Sequence, residues 1–146
     1  MPPAADGLGR EVSAELSEDL KKILDDTNVF ATLATIGRDG QPHLTVIWLV
    51  REGNDLLYST TVSRQQYKNV VRDPRVTIMI NPPDTPYVYA EIRGTATVTP
   101  DPDRALPDRL SAKYTGLPYA EFNPASVHDA DRVIVRVTPE RINGRL

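Results

Sequence analysis

Apolar positions along this chain recur mostly with a period of two, in short runs set between clusters of turn residues. Alternation of this kind marks strands with one face buried, and Gly, Pro, Asn and Asp between the runs mark tight turns. The pattern predicts strands at Val29 to Ile36, Pro42 to Arg51, Leu56 to Thr61, Arg75 to Ile80, Tyr87 to Thr99 and Val133 to Val137, with a short last one at Ile142 to Leu146. In the second, Leu44, Val46, Trp48 and Val50 face one way and His43, Thr45, Ile47 and Leu49 the other. Neither face is fully polar, so cover is expected on both sides. The fifth sets Val88, Ala90, Ile92, Ala96 and Val98 against Tyr87, Tyr89, Glu91, Arg93, Thr95 and Thr97, and Gly94 in its middle reads as a bulge or a close backbone approach.

Three stretches suit helices. Ser17 caps the first, which runs to about Asp26 with Leu20, Ile23 and Leu24 as its apolar stripe. The second is short and stops at Asp73-Pro74, because proline disfavours a helical residue before it. Asp101 caps the third, with Pro102 at its first position, a kink or split at Pro107, an end near Tyr114 and a stop at Gly116. Residues 117–131 read as irregular, with room for one turn of helix. Arg38-Asp39-Gly40-Gln41 is a hairpin signal, since Asp-Gly tolerates the positive φ of a tight turn. Residues 1–15 read as a loose tail and 16–146 as one domain. Tight turns between consecutive strands argue against a doubly wound sheet. They predict a mainly β (α+β) fold, a small antiparallel β-barrel with short peripheral helices.

Composition narrows the chemistry. A chain of 146 residues can bury a core without covalent staples. It has no cysteine, which excludes a disulfide framework, a thiolate metal site and a cysteine nucleophile, and suits a cytoplasmic location. A net charge of −3 gives no footprint for nucleic acid. No apolar run is long enough to cross a bilayer, and the first residues lack the basic and apolar regions of a signal peptide.

Candidate chemistry concentrates between Leu57 and Val76. Thr60, Thr61 and Ser63 are N-cap residue types, and Ser63 with Gln66 fits a capping box. Arg64 and Lys68 share one helix face. Hydroxyls, two cations and the free N–H groups of a helix start make a candidate phosphate cradle. The same residues also suit an ordinary capped helix with a solvated basic face. Elsewhere there is no Gly-x-Gly-x-x-Gly run, no Walker-type loop and no His-Glu-x-x-His, and neither His43 nor His128 has a metal-ligand partner nearby in sequence. Ser63 and Ser111 lack the setting of a nucleophile elbow. With so few poised groups, an enzyme of this sequence would leave the chemistry to a bound cofactor.

Three blocks, in this order, resemble one family. They are Gly37 to Thr45 as a first hairpin, Leu57 to Arg64 with Lys68 to Val76 as a phosphate-binding turn and helix, and Tyr87 to Ala96 as a central strand. Together they resemble the pyridoxamine 5'-phosphate oxidase-like split β-barrel proteins, above all the small F-420 (deazaflavin)-dependent oxidoreductases and next the members that bind FMN. The resemblance covers roughly residues 17–146. It implies a six- to seven-stranded split barrel of the FMN-binding type and a homodimer with cofactor sites at the subunit interface. It places His43, Thr45, Val46, Ile47 and Trp48 against the ring, and Ser59, Thr60, Thr61 and Arg64 around the ribityl chain and phosphate with Gln65, Gln66 and Lys68 nearby. Tyr87 and Tyr89 would reach the site from the partner. The family usually has a basic residue just after the matched arginine. Gln65 and Gln66 stand there instead as neutral donors, with Lys68 one turn on.

The function implied is hydride transfer from reduced deazaflavin to a conjugated or quinone-like small molecule. Tyr89 and His43 are candidate proton donors, and no catalytic residue is assigned. An FMN-dependent oxidoreductase of the same fold is the alternative. So is a non-enzymatic protein that binds flavin, deazaflavin or haem, with His43 or His128 as the haem ligand. No metal, nucleic-acid or membrane partner is implied. The substrate pocket would form from residues 82–87, residues 117–130 and the partner subunit. Trp48, Tyr87 and Tyr89 equally suit closing the barrel or the dimer.

Overall fold

The computed structural model describes residues 14–146. Most of the expected tail therefore lies outside the described residues. The Asn54 side chain holds the start of the described chain, donating to the Ala14 carbonyl and accepting from the Leu16 N–H, both at 2.8 Å.

Seven strands form one antiparallel sheet: β1 (Ala31–Ile36), β2 (Pro42–Ile47), β3 (Val50–Glu52), β4 (Asp55–Thr61), β5 (Arg75–Ile80), β6 (Ala90–Pro100) and β7 (Arg132–Gly144). Their order is β2-β1-β5-β6-β7-β4-β3, so β2 and β3 are the two edges. Yet only Trp48 and Leu49 separate Ile47 from Val50. Three residue steps span at most about 11 Å. The two edges must therefore come together, and the sheet curls into a barrel that backbone hydrogen bonds leave unclosed. The expected single strand from Pro42 to Arg51 is for this reason two strands, broken where the chain crosses from one edge to the other. Tyr114 takes over the pairing there, its hydroxyl accepting from the Leu49 N–H at 3.2 Å.

Most turn chemistry acts as expected. Gly40 takes φ 86° in the β1–β2 hairpin, and Asp39 accepts from the Gln41 N–H at 3.0 Å. Gly94 sits at a register shift between β6 and β7. A Cβ there would run into the Thr138 carbonyl oxygen and come within 2.9 Å of the Val137 side chain. The bulge also explains why the two expected C-terminal strands are one. Gly94 pairs with Pro139 and Arg93 with Arg141, leaving Glu140 as the extra residue. A proline at a bulge removes no ladder bond, so β7 runs straight through it. Tyr87 and Tyr89, expected in β6, precede it. The Thr85 and Val88 N–H groups are spent on turns to the Pro82 and Thr85 carbonyls, which delays the strand to Ala90.

The helices also follow local rules. Ser17 caps α1 (Glu18–Asp26), accepting from the Leu20 N–H at 3.1 Å. α2 (Gln65–Arg72) starts later than expected and has no capping box. Ser63 instead pairs with the Thr61 hydroxyl at 3.0 Å, and Gln66 is buried. α3 (Ala105–Thr115) is one unbroken helix. Asp101 caps it from four residues away, its two oxygens accepting from the Ala105 and Leu106 N–H groups at 3.0 Å. Pro102 lies outside the helix. Pro107 falls in its first turn, where an N–H has no intrahelical partner to lose, so the helix is not split there. α4 (Tyr119–Phe122) and a 3-10 turn (Pro124–His128) occupy the stretch expected to be irregular.

Two apolar clusters result. Leu33, Leu56, Tyr58, Ile78, Ile80, Ile92, Val135 and Val137 belong to the barrel interior. Val50, Leu57, Leu106 and Leu110 form a smaller cluster, against which Trp48, Tyr114 and Ile134 pack. The second cluster seats α3 on the outside of β4 and so forms one wall of the site. Among the described residues, no helix is long and apolar enough to cross a membrane.

Candidate functional site

Strand parity on β4 decides which hydroxyls are available. Leu56 and Tyr58 point into the barrel, and Leu57 points out to α3. Thr60 therefore faces inward with Leu56 and Tyr58, while Ser59 and Thr61 face outward with Leu57. The outward side opens into a cavity of about 240 Å³ lined by Val46, Trp48, Ser59, Arg64, Pro107, Leu110, Tyr119, Phe122 and Arg132.

One end of this cavity is cationic. Arg64 stands at the N-cap position of α2, exposed, with no ion-pair partner among the described residues. Arg132 opens β7 and is buried. It donates to Ser59 Oγ at 3.3 Å, to Tyr119 Oη at 2.8 Å and to Asp129 Oδ2 at 2.6 Å, and its guanidinium lies 5.0 Å from the Tyr119 ring centroid. The Asp129 carboxylate offsets its charge. Arg64 is thus the free cation and Arg132 the fixed donor.

The rest of the cavity is walled by aromatic and apolar side chains. Trp48 stacks on Tyr114 at 5.1 Å and 8°, and Phe122 tilts against it at 5.3 Å and 50°. Tyr114 is locked by its own hydroxyl, which donates to the Val29 carbonyl at 2.7 Å, and burial pushes its phenol up. A cation and hydroxyl beside an aromatic face suit a ligand with a flat ring and an anionic arm.

The expected site residues divide accordingly. Val46, Trp48, Ser59 and Arg64 line the cavity together. Thr61 is buried beside them on the same strand face. On β2, Thr35, Leu33 and Ala31 pair with His43, Thr45 and Ile47, and paired residues share a face, so these three turn inward. Ile47 joins the core. His43 Nδ1, Thr45 Oγ1, Thr60 Oγ1 and Gln66 Oε1 are buried without a hydrogen-bond partner. Gln65 donates to Asn69 at 2.9 Å, and Lys68 is exposed on the helix. Tyr87 is 89% exposed and Tyr89 40%, both outside the cavity of this chain.

The outer face of β2 is open rather than covered. Leu44 is 63% and Val46 70% exposed, so the cavity has an apolar rim without a wall. Arg132, Tyr119, Phe122, Pro107 and Leu110 escaped assignment one by one from the sequence. Tyr119 and Phe122 fall in the segment expected to shape a pocket. Arg132 gave no signal beyond a lone cation before an apolar run.

Residues 16–145 match the family described as pyridoxamine 5'-phosphate oxidase. No curated protein matches the chain. Among solved structures, one named an F-420 reductase is 32% identical, covers 84% of this chain and 94% of its own, and superposes with a TM-score of 0.71. A conserved hypothetical protein of Mycobacterium tuberculosis is 28% identical, with coverages of 97% and 88% and a TM-score of 0.69. A protein related to general stress protein 26 from Clostridium acetobutylicum shares the fold, at 16% identity, coverages of 88% and 89% and a TM-score of 0.63.

Proposed function

The chain belongs to the pyridoxamine 5'-phosphate oxidase family, and on that premise we propose that it is a deazaflavin (F-420)-dependent oxidoreductase acting on a conjugated or quinone-like small molecule. The observation that carries this reading is the meeting of Arg64, Ser59 and Arg132 with the Trp48–Phe122 wall in one cavity. When bound, the reduced deazaflavin supplies a hydride. The chain's own part is to bind and orient. Arg64 and the Ser59 hydroxyl hold the phosphate, with Thr61 behind them on the same strand face, and the stretch from His43 to Trp48 offers backbone groups and the Val46 side chain to the ring. Lys68 and the Gln65 amide lie one turn further along α2. His43, Thr45, Ile47, Thr60 and Gln66, whose side chains turn inward or are buried, contribute through backbone groups or by shaping the floor.

The 32% identity to a protein named F-420 reductase supports the choice of deazaflavin over FMN. The open rim at Leu44 and Val46 supports a homodimer, in which a second copy covers the site and brings Tyr87 and Tyr89 to it.

The test is turnover. Purified protein is mixed with chemically reduced deazaflavin and a panel of enones and quinones, and the return of the oxidised absorbance is followed. Catalysed reoxidation by at least one acceptor is expected. Turnover with reduced FMN and none with deazaflavin would transfer the assignment to the flavin enzymes. Binding of either without turnover would make the protein a carrier.

A further inference from the structure

The two ends of the candidate site lie on separate elements. Arg64 stands at the start of α2, and Val46 lies on β2. A ligand that reaches both needs them held at a fixed span. We propose that Asn69 is the positioning residue that sets this span, by tying the first turn of α2 to β1. This rests on the deazaflavin reading, in which Arg64 meets the phosphate and β2 the ring.

Apolar contact alone does not orient α2. The helix has eight residues and turns Gln66, Asn69 and Val70 inward. Of these only Val70 belongs to the barrel core, with Tyr67 packed partly against it. Apolar burial is non-directional, so it leaves a short helix free to roll and slide on the sheet. The start of α2 has no side-chain cap to hold it. The Arg64 N–H donates to the Thr61 carbonyl at 3.2 Å, and the Arg64 carbonyl accepts from the Lys68 N–H at 3.2 Å. Those bonds join the helix to the end of β4 and leave its orientation on the barrel unset.

Asn69 supplies the direction. It is fully buried, and both ends of its amide are used. Its Nδ2 donates to Thr35 Oγ1 at 3.0 Å. Its Oδ1 accepts from Gln65 Nε2 at 2.9 Å and from Arg72 Nη2 at 3.1 Å. Arg72 Nη2 also donates to the Ile36 carbonyl at 2.6 Å. One side chain therefore joins the first and last residues of α2 to the end of β1. Thr35 is the partner of His43 on β2, the strand that carries Val46 to the cavity. A line of directional bonds thus runs from the residue beside Arg64, through Asn69 and Thr35, to the strand beside the ring.

The neighbouring polar residues do not share this role. Gln65 stands where the family usually has a basic residue, and its amide is spent on Asn69 inside the fold. Gln66 is buried with its side-chain oxygen unpartnered, and Lys68 is exposed. A fixed span helps only a ligand gripped at both ends, because the second contact is then made within one complex. A ligand gripped at the ring alone gains nothing from it.

The experiment uses that difference. Wild type, Asn69→Leu and Thr35→Val are titrated by fluorescence with two probes: the deazaflavin coenzyme, and the same ring and ribityl chain without the phosphate. Leucine is close to asparagine in size and cannot form the bonds, and Thr35→Val removes one hydroxyl at constant shape. Wild type should hold the coenzyme more tightly than the phosphate-free probe. Asn69→Leu should lose about 10- to 100-fold for the coenzyme, as expected for several hydrogen bonds, and stay within about twofold for the phosphate-free probe. Thr35→Val should lose about 3- to 10-fold for the coenzyme alone, and it carries the same comparison if Asn69→Leu does not fold. Equal losses on both probes, or no loss on the coenzyme, overturn the proposal and leave the reductase reading standing. Equal binding of the two probes by wild type also overturns it, since the phosphate is then not gripped. A wild-type protein that binds neither probe overturns both.

Discussion

Arg132 is where stability and the cavity meet. It is buried, offset by Asp129, and bonded to two further side chains, so removing it leaves a carboxylate and two hydroxyl groups short of a donor. Breaking a fully buried ion pair costs about 3–5 kcal/mol. Asp129 keeps 24% of its side chain in water, so Arg132→Met should cost less, roughly 2–3 kcal/mol, read as a lower urea midpoint. Ser59 and Trp48 came with the family resemblance, and Arg64 was legible from the residues themselves, because a cation at a helix start carries local meaning. Arg132 was not. Its burial depends on Asp129 and Tyr119 folding back over it, which is tertiary information. Thr60 was grouped with its neighbours in the cradle, although strand parity alone turns its side chain inward.

At the level of elements, turns and stops follow from a few residues, and two of them predict measurable effects. Asp73 ends α2 and accepts from the Arg75 N–H at 3.2 Å and from its guanidinium at 2.7 Å. The Arg75 hydrogen bond holds the Asp73 carboxyl down at about 2, against an ordinary 3.8. A depressed carboxylate stabilises the fold above its unfolded value, and that contribution disappears as pH falls through the folded value. Stability should therefore fall between about pH 4 and pH 2, and Asp73→Asn should flatten that part of a stability–pH curve. Gly94→Ala should destabilise by about 1–3 kcal/mol in thermal unfolding, since β6 and β7 would have to part to admit the new carbon. The bulge at Gly94 was legible; the unbroken run of β7 was not. Pro139 reads as a strand breaker until its partner across the sheet is known.

For the whole molecule, a run of antiparallel strands was enough to predict a barrel, but not where it splits. That follows from the pairing order, in which two strands nearly adjacent in sequence become opposite edges. The split leaves Leu44 and Val46 facing outward beside the cavity. Sedimentation should show a dimer, and Leu44→Glu should shift it toward monomer and weaken deazaflavin binding in parallel, with the barrel's circular dichroism unchanged.

The most direct test of the account is a fluorescence titration of the apo-protein with the deazaflavin coenzyme, run beside FMN and repeated on Arg64→Ala. The account predicts micromolar or tighter binding of deazaflavin and weaker binding of FMN. Arg64→Ala should lose about 10- to 100-fold in deazaflavin affinity, as expected for one charged hydrogen bond. Binding of neither coenzyme, or equal binding by wild type and Arg64→Ala, would contradict the assignment of this cavity as the cofactor site.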